Sequence, residues 1–119
     1  MRDHKKLIAF EIADNLVLAV YSISRYFPKY EIYGLTSQLR RASVSVVSNI
    51  VEGCARSTQI EYHRFLEMAY GSLREADYQY NLSVRLGYTI SNEELASDII
   101  QNKFIETQKV LASLLKSME

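Results

Sequence analysis

The chain has 119 residues, 48% of them hydrophobic, with 14 basic and 14 acidic side chains and no formal net charge. That size and apolar content suit one folded domain over residues 1–119 and argue against disorder, while zero net charge gives no general drive toward nucleic acid. One Pro and four Gly leave little material for the turns of an all-β fold, and the single Cys54 rules out an internal disulfide.

The first residues carry basic and then apolar side chains, but Glu11, Asp14 and Asn15 interrupt any signal-peptide core. No segment approaches the ~18 to 20 uninterrupted apolar residues of a membrane span, and a lone thiol fits a reducing compartment. A soluble cytoplasmic protein is expected. A first helix is predicted from about Asp3 to Tyr26, because Ala9, Ala13, Leu16, Val20, Ile23 and Phe27 recur every three or four residues. Pro28 ends it, and the connector PKYEIYG follows.

The second helix is LTSQLRRASVSVVSNIVEG, from Leu35 to between Gly53 and Ala55. Its seam is Leu35, Leu39, Ala42, Val46 and Ile50. At ~100° per residue, Val44, Val47 and Val51 lie roughly 120 to 180° from that seam, outside the reach of the same core. The readings stand side by side: scattered surface apolars, apolars covered by the 28–34 connector, or a subunit interface. A third face carries Gln38, Arg41, Ser45, Ser48 and Glu52, and Asn49 sits at the border of the inner seam. The third face reads equally as a solvated stripe or as a fixed polar network at a helix or subunit junction. Glu52 and Arg56 have the favourable four-residue spacing for an ion pair if the helix persists that far.

Thr58 and Glu61 form a T-x-x-E box at the start of the third helix, each side chain able to satisfy the other's backbone N–H. Its seam is Tyr62, Leu66, Ala69, Leu73, Ala76, Tyr80 and Val84, with Gly87 as the glycine just past its end. The fourth helix is expected from Ser91, with S-x-x-E to Glu94, and an apolar face of Leu95, Ile99, Phe104 or Ile105, Leu111 and Leu115. No strand-like alternation, internal repeat or low-complexity tract stands beside these signals. The short connectors favour antiparallel neighbours, so the expected fold is all-α, an up-down-up-down four-helix bundle.

Catalytic patterns are weak. His4 and His63 belong to no metal-spacing motif, and His63 falls off the seam as a surface residue. Ser113 and Lys116 match S-x-x-K without its companion motifs. Phosphate-cradling glycine loops and the E-x-x-H pairs of di-iron bundles are absent, and Met1, Met68 and Met118 form no stripe. No catalysis, cofactor or metal is expected. Tyr26, Tyr30 and Tyr33 cluster with Lys29; they read as base-stacking residues or, by preference, as a connector tucked onto the bundle. Charge is uneven: residues 1–56 sum to +3 and residues 57–119 to −3. That split allows a basic patch or complementary charge between packed helices.

YGLTSQLRRASVSVVSNIVEGCARS followed by EYHRFLEMAYGSLREADYQYNLSVRLGY resembles the bacterial four-helix-bundle family of proteins encoded in intervening sequences of 23S ribosomal RNA genes, some labelled ribosomal proteins. The likeness covers nearly the whole chain and is strongest from Tyr33 to Tyr88. Matching positions are Gln38, Leu39, Arg40, Arg41, Ala42, Ser45, Asn49, Glu52, Gly53 and Arg56, then Phe65, Ala69, Gly71, Ser72, Leu73 and Glu75. The chain departs from the pattern at Val47, where relatives often have Pro, and at ISNEE, where many have LSEEE.

The resemblance implies a four-helix bundle assembled as a cyclic homopentamer, in accord with the second apolar face of Val44, Val47 and Val51. It also implies a poorly defined role. A distantly similar accessory protein of diversity-generating retroelements is a basic pentamer that associates with a reverse transcriptase and nucleic acid, a precedent that this neutral chain does not match in charge. Arg40, Arg41, Arg56 and Arg64 are the residues expected to meet phosphate if RNA, DNA or a nucleic-acid enzyme is the partner. Gln38, Arg41, Ser45, Asn49, Glu52 and Glu75 are the expected polar network. The alternative is a purely structural protein–protein module.

Overall fold

The computed structural model describes residues 2–89 and 97–119, and among these every regular element is helical. Four α-helices follow in chain order: α1 (Ile8–Ser24), α2 (Leu35–Cys54), α3 (Gln59–Arg85) and α4 (Ser97–Lys116). Helix α3 has 27 residues, which at ~1.5 Å per residue is about 40 Å. That length sets the long dimension of the molecule, 43 Å. Helix α1 packs on α2 and α4, and α3 packs on α2 and α4. No helix among the described residues is long and apolar enough to cross a membrane.

The seam residues expected for the first three helices, apart from Val84, are all buried. Val84 packs against the core from the side. Fully burying a leucine such as Leu66 or Leu73 stabilises the fold by about 1.5–3 kcal/mol, so these seams dominate the stability.

The fourth helix is read differently by the structure. Ser91, Glu94 and Leu95 lie outside the described residues. Ile99, expected inside, is 39% exposed, and Ile100 is buried in its place. Of the pair Phe104 or Ile105, Phe104 is buried and Ile105 is 41% exposed, while Leu111 is buried and Leu115 packs against the core, both as expected. The link between Phe104 and Leu111 is Thr107, a polar residue that occupies a core position by donating its hydroxyl to the Lys103 carbonyl at 2.6 Å. Counted through Thr107, the face runs 100, 104, 107, 111, an unbroken helical period.

The first helix starts later than Asp3. The Asp3 carboxylate accepts the Lys5 amide at 3.0 Å and holds a 3₁₀ turn over His4–Lys6, and Leu7 is extended, with φ −89° and ψ 122°. A local side-chain acceptor thus competes with the helix ladder. The preceding Arg2 donates its backbone N–H to the Cys54 carbonyl at 2.8 Å, and its side chain bonds Gln59 and lies over the Tyr62 ring. Helix α1 stops at Ser24, not Tyr26, followed by turns and a second 3₁₀ turn at Lys29–Glu31.

Between α2 and α3 the backbones approach closely. A Cβ on Gly53 would stand 2.9 Å from the Phe65 Cβ, so only glycine allows this separation. Thr58 caps α3 by accepting the Glu61 amide at 3.2 Å, but the Glu61 carboxylate takes the Thr58 hydroxyl, not its backbone N–H. The exit of α3 uses Gly87 at φ +77°, where Gly87 donates to Val84 and Tyr88 donates to the Ser83 carbonyl. These are the two bonds of a Schellman motif.

Candidate functional site

The valine row of α2 faces α1. Val44, Val47 and Val51 form one wall of a shallow groove of about 340 Å3 whose other wall includes Asp14 and Val17, with Ser48 and Glu52 beside the valines. Val44 is 38% exposed, and Leu18 and Tyr21 on α1 are 61% and 41% exposed. Val47, which the helical wheel places beyond reach of the core, is half-buried and packs against it. No residue of the 28–34 connector lines this groove, so the connector does not cover the row.

The four candidate arginines are not brought together. Arg40 is half-buried, donates Nε–H to the Ser24 hydroxyl at 2.8 Å, and lies 4.9 Å from the Tyr21 ring centre. Arg56 donates to the Glu52 backbone carbonyl and lies over Phe65. Helix α2 ends at Cys54, so the expected Glu52–Arg56 ion pair gives way to a bond that closes the helix end. Arg41 and Arg64 are exposed and have no hydrogen bond or ion pair among the described residues.

The polar face is joined only in part. Ser45 and Ser72 share a hydrogen bond at 2.9 Å across α2 and α3, and Asn49 donates to both the carbonyl and the hydroxyl of Ser45. Gln38, Arg41 and Glu52 are exposed and stand apart from it, and Glu75 accepts from Gln79 on its own helix. A second polar junction escaped the sequence reading. The Asp77 carboxylate accepts from Gln101 at 3.1 Å and Gln108 at 2.9 Å, and Gln108 in turn accepts from Arg74. These residues tie α3 to α4. Their only sequence signal is a shared helical face, which any solvated stripe also has.

The connector tyrosines are mostly free. Tyr33 is 95% exposed and Tyr30 78%, although the Tyr30 hydroxyl reaches that of Tyr88 at 3.3 Å. Burial of the turn falls to Phe27, whose ring meets Tyr88. The Tyr88 hydroxyl donates to Glu31 at 2.9 Å, and its bonds with Tyr30 and then Glu31 push the phenol well up from its ordinary value.

Burial pushes the Cys54 thiol up, with Arg2 opposing, so it is a poor nucleophile at neutral pH. His63 sits 3.4 Å from Glu67, and His4 packs edge-on against Phe10. Among the described residues no group of three or more His, Cys, Asp or Glu side chains could hold a metal ion.

A family model described as "23S rRNA-intervening sequence protein" matches residues 5–113. No curated protein matches the chain. A crystal structure from Bacteroides thetaiotaomicron, described as a protein of unknown function from the S23 ribosomal protein family, superposes with a TM-score of 0.79. It is 20% identical in sequence, and the match covers 92% of this chain and 99% of that one. At that identity the likeness shows the fold alone.

Proposed function

The chain belongs to the family of 23S rRNA-intervening sequence proteins, and from that membership and its α1–α2 face we propose that it is a non-catalytic adaptor that works as a homo-oligomeric ring. The role of the family is unknown, so the proposal rests on one observation. The apolar groove along Val44, Val47 and Val51, flanked by exposed Leu18, is left uncovered by the chain's own connector. A ring needs two different patches per subunit, and a helix that serves its own core on one side and this groove on another provides one of them. The bundle is read as a single antiparallel domain. Supporting this, Ser45 meets Ser72 while Gly53 meets Phe65, and Arg74 meets Gln108 while Tyr80 stacks on Phe104.

Light scattering tests the assembly. One discrete multimer, with five subunits as the expectation, should appear at micromolar concentration. Val47→Asp and the more exposed Val44→Asp should both dissociate it, because a carboxylate in a closed apolar contact loses its hydration without a partner. A wild-type monomer at micromolar concentration refutes the ring.

The partner we favour is nucleic acid or an enzyme that acts on it, met by the unpaired Arg41 and Arg64 together with Arg40 and Arg56. Binding of structured RNA should weaken linearly in log affinity against log salt. No binding at low salt refutes that arm. Zero net charge favours a second reading, a structural module whose ligand is another protein.

A further inference from the structure

Where the chain leaves α1 and enters α2, a second recess of about 420 Å3 opens. Arg25, Lys29 and Arg40 line it with Ser24 and Thr36, around an apolar wall that includes Phe27, and no carboxylate contributes to the lining. The nearest acid in sequence, Glu31, is engaged elsewhere: one oxygen accepts the Leu35 amide at 3.2 Å and the other accepts the Tyr88 hydroxyl.

Two buried hydroxyls give the recess its character. Thr36 is 2% exposed and its hydroxyl has no hydrogen-bond partner. Helical hydroxyls ordinarily bond a carbonyl of the preceding turn, as Ser43 does to Arg40 and Thr107 to Lys103. Thr36 does not, and an unsatisfied buried hydroxyl persists at a standing loss unless something answers it. Ser24, also 2% exposed, donates to the Tyr21 carbonyl and accepts from Arg40 Nε. That bond fixes Arg40 by one nitrogen and leaves the other two guanidinium nitrogens without a partner among the described residues. Three cations, a positioned guanidinium fork and an unanswered hydroxyl match a small oxyanion with several acceptor oxygens.

We propose that this recess binds a phosphate monoester, the terminal phosphate of a nucleotide or of a nucleic-acid 5′ end. A monoester is close to dianionic at neutral pH, which suits a lining with three cationic side chains better than the single charge of a backbone diester. Its volume exceeds that of a phosphate, and the exposed Tyr26, Tyr30 and Tyr33 on the same turn offer faces for a base. The site does not depend on ring assembly.

Titration calorimetry on the full chain tests the proposal with adenosine 5′-monophosphate, adenosine and inorganic phosphate. The monophosphate should bind, adenosine should bind at least about tenfold more weakly, and inorganic phosphate should compete. A 5′-phosphorylated oligonucleotide set against its 5′-hydroxyl twin then separates the two sources. Tighter binding than the mononucleotide assigns a strand end, and equal or weaker binding assigns the nucleotide. Thr36→Val should weaken the monophosphate about tenfold while leaving the melting temperature unchanged or raised, because it removes an unpaired buried hydroxyl. The pair Arg25→Gln and Lys29→Gln should weaken it further. Equal affinity for adenosine and its monophosphate, no binding at millimolar concentration, or affinity unmoved by these substitutions overturns the proposal. Phosphate binding retained by a dissociated Val44→Asp variant supports it independently of the ring.

Discussion

The same substitution at two helical glycines should have opposite signs. Alanine is favoured over glycine inside a helix by about 0.8–1 kcal/mol. At Gly71, exposed in α3, an added Cβ meets nothing within 4 Å, so Gly71→Ala should keep that gain. At Gly53 the Cβ would stand 2.9 Å from the Phe65 Cβ and 3.4 Å from Tyr62 Cδ1. Carbon atoms rest at about 3.5–4.0 Å, and a Cβ cannot rotate away, so α2 and α3 must part by several tenths of an ångström or more. Overpacking of this kind costs about 1–3 kcal/mol. Subtracting the helical gain leaves Gly53→Ala less stable by about 1 kcal/mol, and the two variants differ by about 2 kcal/mol. Urea unfolding followed by far-ultraviolet circular dichroism reads this directly. In thermal melts the shifts should be about 4 °C down and 4 °C up. A Gly53→Ala protein as stable as the wild type would show that the helices are not held at this separation, and the close-approach argument would fail.

Gly87→Ala should lose about 1 kcal/mol in the same assay, because φ +77° places a Cβ against the following carbonyl; no loss would mean the Schellman turn does not persist in solution. Cys54 should react slowly with thiol reagents at pH 8 and at the rate of global unfolding when denaturant is added; rapid reaction in the native state would contradict its burial. Its raised pKa has the corresponding linkage. The folded state favours the neutral thiol, so this stability is fully present below the ordinary value of 9.0 and is lost as pH rises through the folded value. Tyr62 acts in the same sense from 10.0 upward, so unfolding midpoints should fall in alkali, and Cys54→Ala should remove the earlier part of the fall.

The apolar seams of the first three helices were legible because aliphatic and aromatic side chains recur there every three or four residues without a polar interruption. The fourth was legible only in part, at Phe104, Leu111 and Leu115, because Thr107 occupies a core position and interrupts the apolar pattern, which left Phe104 and Ile105 undecided and placed Ile99 inside instead of Ile100. Polar groups were legible only when they answer each other locally. Asn49 and Ser45 are four apart on one helix, but Ser72, which completes their cluster, comes from another. Of the recess residues, Arg40 and Lys29 stood out as charge, but the hydroxyls of Ser24 and Thr36 were missed for the same reason. Ser24 and Thr36 each adjoin a seam residue, Ile23 and Leu35, and neither residue type signals that its hydroxyl will be buried. The arginine pair was visible as charge, yet only packing against Tyr21 and Ser24 separates Arg40 from the free Arg41.

Glu31 has a kinetic consequence. One carboxylate holds the first amide of α2 and, through the Tyr88 hydroxyl, the residue just beyond the glycine that ends α3. The α1–α2 corner is therefore tied to the end of α3 through one side chain. Any fluctuation that frees the Leu35 amide must break a bond within the corner or detach the end of α3. The two segments, more than 50 residues apart in the chain, should exchange their amide hydrogens as one cooperative unit. A molecule that filled the recess beside this corner would slow that exchange at both places at once.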